Sequence, residues 1–206
     1  MEATTRSRIV GAAEALFYEQ GLRSVSVDAI AARAGVTKRT LYYHFDSKDS
    51  LIAAYLAARD APTMDRYRHW LGTEDRPLPE RISSMFADLG TFAKQPGWRG
   101  CGFTRAAVEL AGQPGHPAVT MAADHKKRFE AWLSAELRKA GVPAPELTGR
   151  QVMILLEGAI AQMLIHRDGA YALAAGAAAS ALVAAGLPES KDVAGPAERR
   201  AVMYTD

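Results

Sequence analysis

One cysteine, Cys101, stands in a chain of 206 residues, so no intramolecular disulfide can form and nothing points to an oxidising compartment. Absent too is an apolar run behind the first basic residues of MEATTRSRIV; no secretory signal is expected, and the cytoplasm is the expected location. No stretch of alternating β-branched residues reads as a strand. Excess charge is also scarce. A net +2 with a pI near 8.7 is too mild to imply nucleic-acid binding by itself. What the chain does have is 49% hydrophobic residues, ample for a packed core without covalent staples.

The apolar spacing is helical nearly everywhere. Ile9, Ala12, Leu16 and Phe17 mark one face of a first helix that ends at Gly21. Ser26 is placed to cap a short second helix with Ile30, Ala31 and Ala34 inward, ended by Gly35. Thr37 caps a third of about two turns carrying Leu41, with Phe45 packing at its exit. Ser47 opens a longer fourth helix with Leu51, Ile52, Tyr55 and Leu56 inward, and Pro62 is expected to kink it. Beyond it, helices are expected over about 78–94, 103–112, 117–140, 147–166 and 169–186, punctuated by Pro96-Gly97, Gly112 to Pro117 and Gly141 to Pro145.

The mild basic excess is concentrated. Between residues 33 and 48, Arg33, Lys38, Arg39 and Lys48 face Asp46 alone. Small residues where two short helices approach, and a glycine that tolerates positive φ in their link, fit a helix-turn-helix built on Ile30, Ala31, Gly35, Val36 and Leu41. Its second helix would project and could enter a major groove. Lys38 and Arg39 could donate to guanine or phosphate, and Thr37 could do so while capping. Tyr42 could offer its hydroxyl to phosphate or its ring to a thymine methyl, and Thr40, Tyr43, His44 and Lys48 lie toward the backbone flanks.

The segment SVDAIAARAGVTKRTLYYHFDSKDSLI resembles the N-terminal domain of the tetracycline-repressor (TetR) family of bacterial transcription regulators. Ile30-Ala31, Ala34-Gly35-Val36, Thr37, Leu41 to Phe45 and Ser47-Lys48 carry the resemblance. It implies an all-helical homodimer with two small DNA-binding domains and a divergent C-terminal domain that binds a small ligand and dimerises. It also implies DNA contacts at Thr37, Lys38, Thr40, Tyr42, Tyr43, His44 and Lys48, whereas Arg39 departs from the small residue often found at its position.

The middle of the chain supplies bulky apolar and aromatic side chains of the kind that line small-molecule sites and ordinary cores alike. Tyr67, Trp70, Phe86, Leu89, Trp98, Phe103 and Met121 are the expected pocket residues, with Glu109 and His125 as polar groups able to orient a ligand; Met85, Phe92, Phe129 and Trp132 belong to the same set. Nothing in the local sequence activates Cys101, for which a buried structural state is expected, and no spacing matches a compact metal signature. His116 before Pro117 marks a helix entrance.

The segment VMILLEGAIAQMLI is apolar almost all round, and Gly169 to Pro188 carries no charge. Such helices must be covered on every side. The second run is long enough to span a bilayer, but its alanine and glycine content favours close helix packing instead. The TetR resemblance implies dimerisation through these last two helices, with Leu155, Gly158, Gln162, Leu173, Ala177 and Leu182 as expected interface positions.

The expected architecture is therefore all-α. A helix-turn-helix domain spans 1–46, a ligand-binding and dimerisation domain 47–188, and a peripheral or disordered tail 189–206. The expected function is a ligand-responsive, sequence-specific transcription regulator acting as a repressor. Its expected partners are double-stranded operator DNA, a small-molecule effector and a second copy of the chain, with no membrane, cofactor, metal or catalytic residue. The alternatives are an all-helical enzyme using Cys101 or Glu109 with His125, and a nonspecific DNA-binding protein.

Overall fold

The computed structural model describes residues 4–113 and 115–187. Among them the chain forms nine helices and no strand: α1 (Thr5–Gln20), α2 (Val27–Ala34), α3 (Lys38–His44), α4 (Lys48–Leu71), α5 (Leu78–Ala93), α6 (Gly102–Glu109), α7 (Pro117–Lys139), α8 (Pro145–His166) and α9 (Ala170–Ala185). The expected tail, 189–206, lies outside the described residues.

Two apolar clusters organise these helices. The first joins α1, α2 and α3 to the N-terminal half of α4 through Ile9, Phe17, Ile30, Leu41, Phe45, Leu51 and Leu56, and it also takes in Phe103 and Ala106 of α6 and Ala118 and Ala122 of α7. The second holds the C-terminal half of α4 against α5, α7, α8 and α9 through residues such as Tyr67, Phe86, Phe129, Leu156 and Val183. The expected domain boundary falls where α4 begins, whereas the two clusters divide further along that helix, between Leu56 and Met64. One rigid element thus belongs to both.

Pro62 does not break α4, which runs unbroken from Lys48 to Leu71. The residue is exposed, so the missing N–H falls on the solvent side, and Met64 and Tyr67 anchor the turn that follows. The punctuation expected over Gly141 to Pro145 stands between α7 and α8, with Pro145 as the first residue of α8, where the missing N–H would have had no intrahelical partner. Small residues set the spacing of α5 and α9: a Cβ on Gly176 would stand 2.7 Å from the Phe86 Cβ, and one on Gly90 would stand 3.2 Å from Ala172. No helix of the described residues is long and apolar enough to cross a membrane.

Candidate functional site

The helices on either side of the α2–α3 turn are opened by two side-chain caps, and the turn itself is made by one glycine. Ser26 accepts the Ala29 N–H at 3.1 Å, and Thr37 accepts the Thr40 N–H at 3.1 Å while its hydroxyl meets that of Thr40 at 2.9 Å. Gly35 takes a left-handed φ of 64°, and Val36 N–H returns to the Ala31 carbonyl at 3.0 Å, closing α2. Arg8 of α1 reaches over to donate to the Ala34 carbonyl at 2.7 Å. Leu41 and Phe45 are buried and fix α3 on the domain, and the Arg6 guanidinium covers the Phe45 ring at 4.9 Å.

With the apolar face of α3 so occupied, its other side chains face outward. Thr37, Lys38, Arg39 and Tyr42 are exposed, Thr40 and His44 half-buried, and Tyr43 is 85% exposed, its ring edge-on to His44. Lys38 forms an exposed ion pair with Asp28 of α2 at 3.0 Å, and that contact raises its pKa. Lys48 is half-buried and donates to the Arg23 carbonyl at 3.2 Å; burial lowers its pKa despite the nearby carboxylates. Asp28, Arg6 and Arg8 were missed by sequence reasoning because they lie on other helices.

A second feature is a cleft in the body of the molecule that encloses about 460 Å³, open mouth included. Of the expected pocket residues, Tyr67, Trp70, Leu89, Trp98 and Phe103 line it, as do Phe92 and Cys101. Phe86 does not; it is fully buried against Gly176. Met121 packs on the first apolar cluster instead, and Glu109 and His125 are engaged elsewhere. Sequence reasoning missed Tyr18, Arg59, Thr63 and Arg66 in the wall. The signal was present, since 59, 63, 66, 67 and 70 form one stripe of α4, but arginines on a helix read as solvated.

Cys101 is not buried as expected; it is partly exposed at the cleft. The fold also supplies a partner that the local sequence lacks: Lys126 of α7 donates to the Cys101 Sγ at 3.2 Å and is ion-paired with Glu157 of α8, which accepts from Thr104 at 2.6 Å. Burial depresses the Lys126 pKa, but the neighbouring Cys101 and Glu157 more than offset it and leave it raised. Burial pushes the Tyr67 hydroxyl well above its ordinary range.

Three side chains tie the segment from Arg99 through α6 to α1 and the turn that follows it. Tyr18 of α1 lines the cleft, and its hydroxyl accepts the Arg99 N–H at 2.9 Å and donates to the Gly100 carbonyl at 3.3 Å. Arg105 of α6 donates to the Tyr18 carbonyl at 2.7 Å. Glu109 accepts from the Leu22 N–H at 2.6 Å. His116 caps α7, its Nδ1 accepting the Ala118 N–H at 3.0 Å, and its Nε2 lies 3.2 Å from Asp49 of α4.

Among the described residues no hydrogen bond joins the groups weighed for an enzyme to one another. Cys101 meets Lys126, Glu109 meets Leu22, and His125 Nδ1 meets Asp60 at 2.6 Å while its ring stacks on Phe103. Each of the three is occupied by a different partner.

The model of the bacterial regulatory proteins of the tetR family matches residues 9–55. Over 70 residues the chain is 40% identical to the HTH-type transcriptional regulator SrpR of Pseudomonas putida, a match covering 34% of this chain and 33% of that protein. A TetR-type transcriptional regulator of Streptomyces avermitilis is 32% identical, with a TM-score of 0.78 over 89% of this chain and 98% of its own. The chain belongs to the TetR family. A TetR-family regulator of Streptomyces coelicolor gives a TM-score of 0.79 at 27% identity, over 88% of this chain and 95% of that one. The TetR match to curated relatives such as SrpR spans only about a third of their length, the part holding the helix-turn-helix, and the C-terminal helices are matched in the solved structures.

Proposed function

We propose that this TetR-family protein is a ligand-responsive, sequence-specific DNA-binding regulator, a repressor that leaves a palindromic operator when a small molecule occupies the cleft. The observation that carries the reading is the double role of Tyr18, which is part of the first DNA-binding helix and part of the cleft wall. A ligand that moves the Arg99–Phe103 segment pulls on α1 through two hydrogen bonds of one hydroxyl.

In this reading Lys38, Arg39, Thr37 and Tyr42 reach base edges or phosphate, and Thr40, Tyr43, His44 and Lys48 contact the backbone. Homodimerisation uses the outer face of α8 and α9, where Ile154, Ile165 and Leu173 are 63%, 68% and 59% exposed. Gly158, Gln162 and Ala177 of the expected interface are exposed on these helices, whereas Leu155 and Leu182 turn partly into the chain's own core. A twofold axis there sets two α3 helices in successive major grooves, about 34–36 Å apart. Coupling of about 1–3 kcal/mol between cleft and operator gives roughly 5- to 150-fold release, provided the ligand discriminates between two conformations.

The test is a gel-shift on DNA flanking the protein's own gene at several salt concentrations. Retention of one fragment over scrambled duplex, with a steep negative salt slope, is the expected result. Equal retention of scrambled DNA supports the nonspecific alternative.

A further inference from the structure

The cleft has the aromatic walls of a site for either a lipophilic cation or an apolar anion, and its charges separate the two. No Asp or Glu lines it, whereas Arg59 and Arg66 both do. The two arginines already lie over three of the aromatic rings of the wall: Arg59 over Tyr18 at 4.9 Å, and Arg66 over Phe92 at 4.4 Å and Trp70 at 6.0 Å. A cationic ligand would meet two guanidinium groups and no carboxylate in the wall.

The arginines are not equivalent. Arg59 is neutralised by Glu14 at 2.7 Å, while Arg66 has no carboxylate partner among the described residues. Arg66 lies 4.4 Å from the Phe92 ring centre and forms no salt bridge among the described residues, so its guanidinium N–H donors can serve a planar oxyanion. Thr63 stands in the same stripe of α4 and adds a hydroxyl. Beyond these polar groups the wall is Trp70, Trp98, Leu89, Phe103 and Ile160.

We propose that the effector is a small planar carboxylic acid, with its carboxylate held by Arg66 and Thr63 and its apolar body between Trp70, Trp98 and Phe103. This rests on the reading of the cleft as the effector site. Arg66 is then the residue that selects charge, and the aromatic wall selects shape.

Three isosteres test it on the full-length protein by titration calorimetry: 2-naphthoate, neutral 2-naphthamide and cationic 2-naphthamidine. The expected order is naphthoate tightest, the amide at least about tenfold weaker and the amidine weakest, since a charge-assisted hydrogen bond pair is lost and then replaced by repulsion. Arg66→Gln collapses the naphthoate-to-amide preference toward unity, and Arg66→Lys restores only part of it. Circular dichroism on both variants separates loss of preference from loss of fold. Amidine or amide binding as tightly as naphthoate overturns the proposal, as does an unchanged preference in Arg66→Gln or the absence of binding by all three. If the amide binds as well as naphthoate and also releases DNA, the effector reading stands and the carboxylate class falls.

Discussion

Glu109 of α6 accepts the Leu22 N–H at 2.6 Å and the Arg23 N–H at 3.3 Å, so the turn that follows α1 is bonded to a side chain 87 residues away. A charged acceptor shared between two backbone donors stabilises by about 1.5–3 kcal/mol when partly buried. Glu109→Ala is expected to lower the urea midpoint of unfolding and to loosen the first three helices, seen as faster amide exchange at Leu22 and Arg23. A variant with wild-type stability and exchange would mean that the contact contributes nothing.

Lys38 and Tyr42 are exposed, so Lys38→Ala and Tyr42→Ala should weaken operator binding about tenfold without loss of helicity. If Lys38 contacts phosphate, its removal lowers the salt slope by about one and weakens all duplexes alike; a base contact changes the sequence preference instead. Asp28 competes for the same ammonium at 3.0 Å. Asp28→Asn should therefore tighten DNA binding, and anisotropy titrations with labelled duplex would expose the opposite sign.

Ile154 and Ile165 lie 63% and 68% exposed on α8. Ile154→Arg places a charge on that face, and the expected result is a monomer in sedimentation velocity together with loss of high-affinity operator binding, because one half-site holds one α3 helix. A dimer that survived the substitution would place the interface elsewhere.

His125 links α7 to Asp60 of α4 and also stacks on Phe103. Burial lowers its pKa below the ordinary 6.5; the Asp60 hydrogen bond opposes the shift, while Lys126 and Arg128 reinforce it. The unfolded chain therefore takes up a proton before the folded one does, and stability is full above pH 6.5 and falls as the pH drops toward the depressed value. Burial raises the Asp60 pKa, but hydrogen bonds from His125 and Arg128 carry it below 3.8, so its contribution persists until more acid conditions. Urea midpoints should fall between pH 7.5 and 5.5, and His125→Gln should flatten that segment of the curve; a wild-type slope in the variant would assign the titration to another group.

The helices were legible in the sequence because their signals are local. Ser26, Thr37 and Ser47 each cap the helix expected of them, and Gly21 and Gly35 end α1 and α2. The prolines are tolerated for local reasons too: Pro62 stands exposed inside α4, and Pro145 sits in the first turn of α8 after the expected turn. The cleft was half legible. Aromatic residues announce apolar space, but whether Phe86 lines a cleft or fills the contact with Gly176 depends on the angle at which α5 meets α9.

The order of residues alone determined the positions of the helices among the described residues, the caps of α2, α3 and α4, the glycine corner before α3 and the outward polar face of that helix, since each follows from spacing within a few residues. Tertiary structure decided which distant groups meet: Tyr18 with Gly100, Glu109 with Leu22, Lys126 with Cys101, and Arg66 with the ring of Phe92. Those pairings depend on how whole helices pack, and helical periodicity specifies which face is buried without specifying what it is buried against.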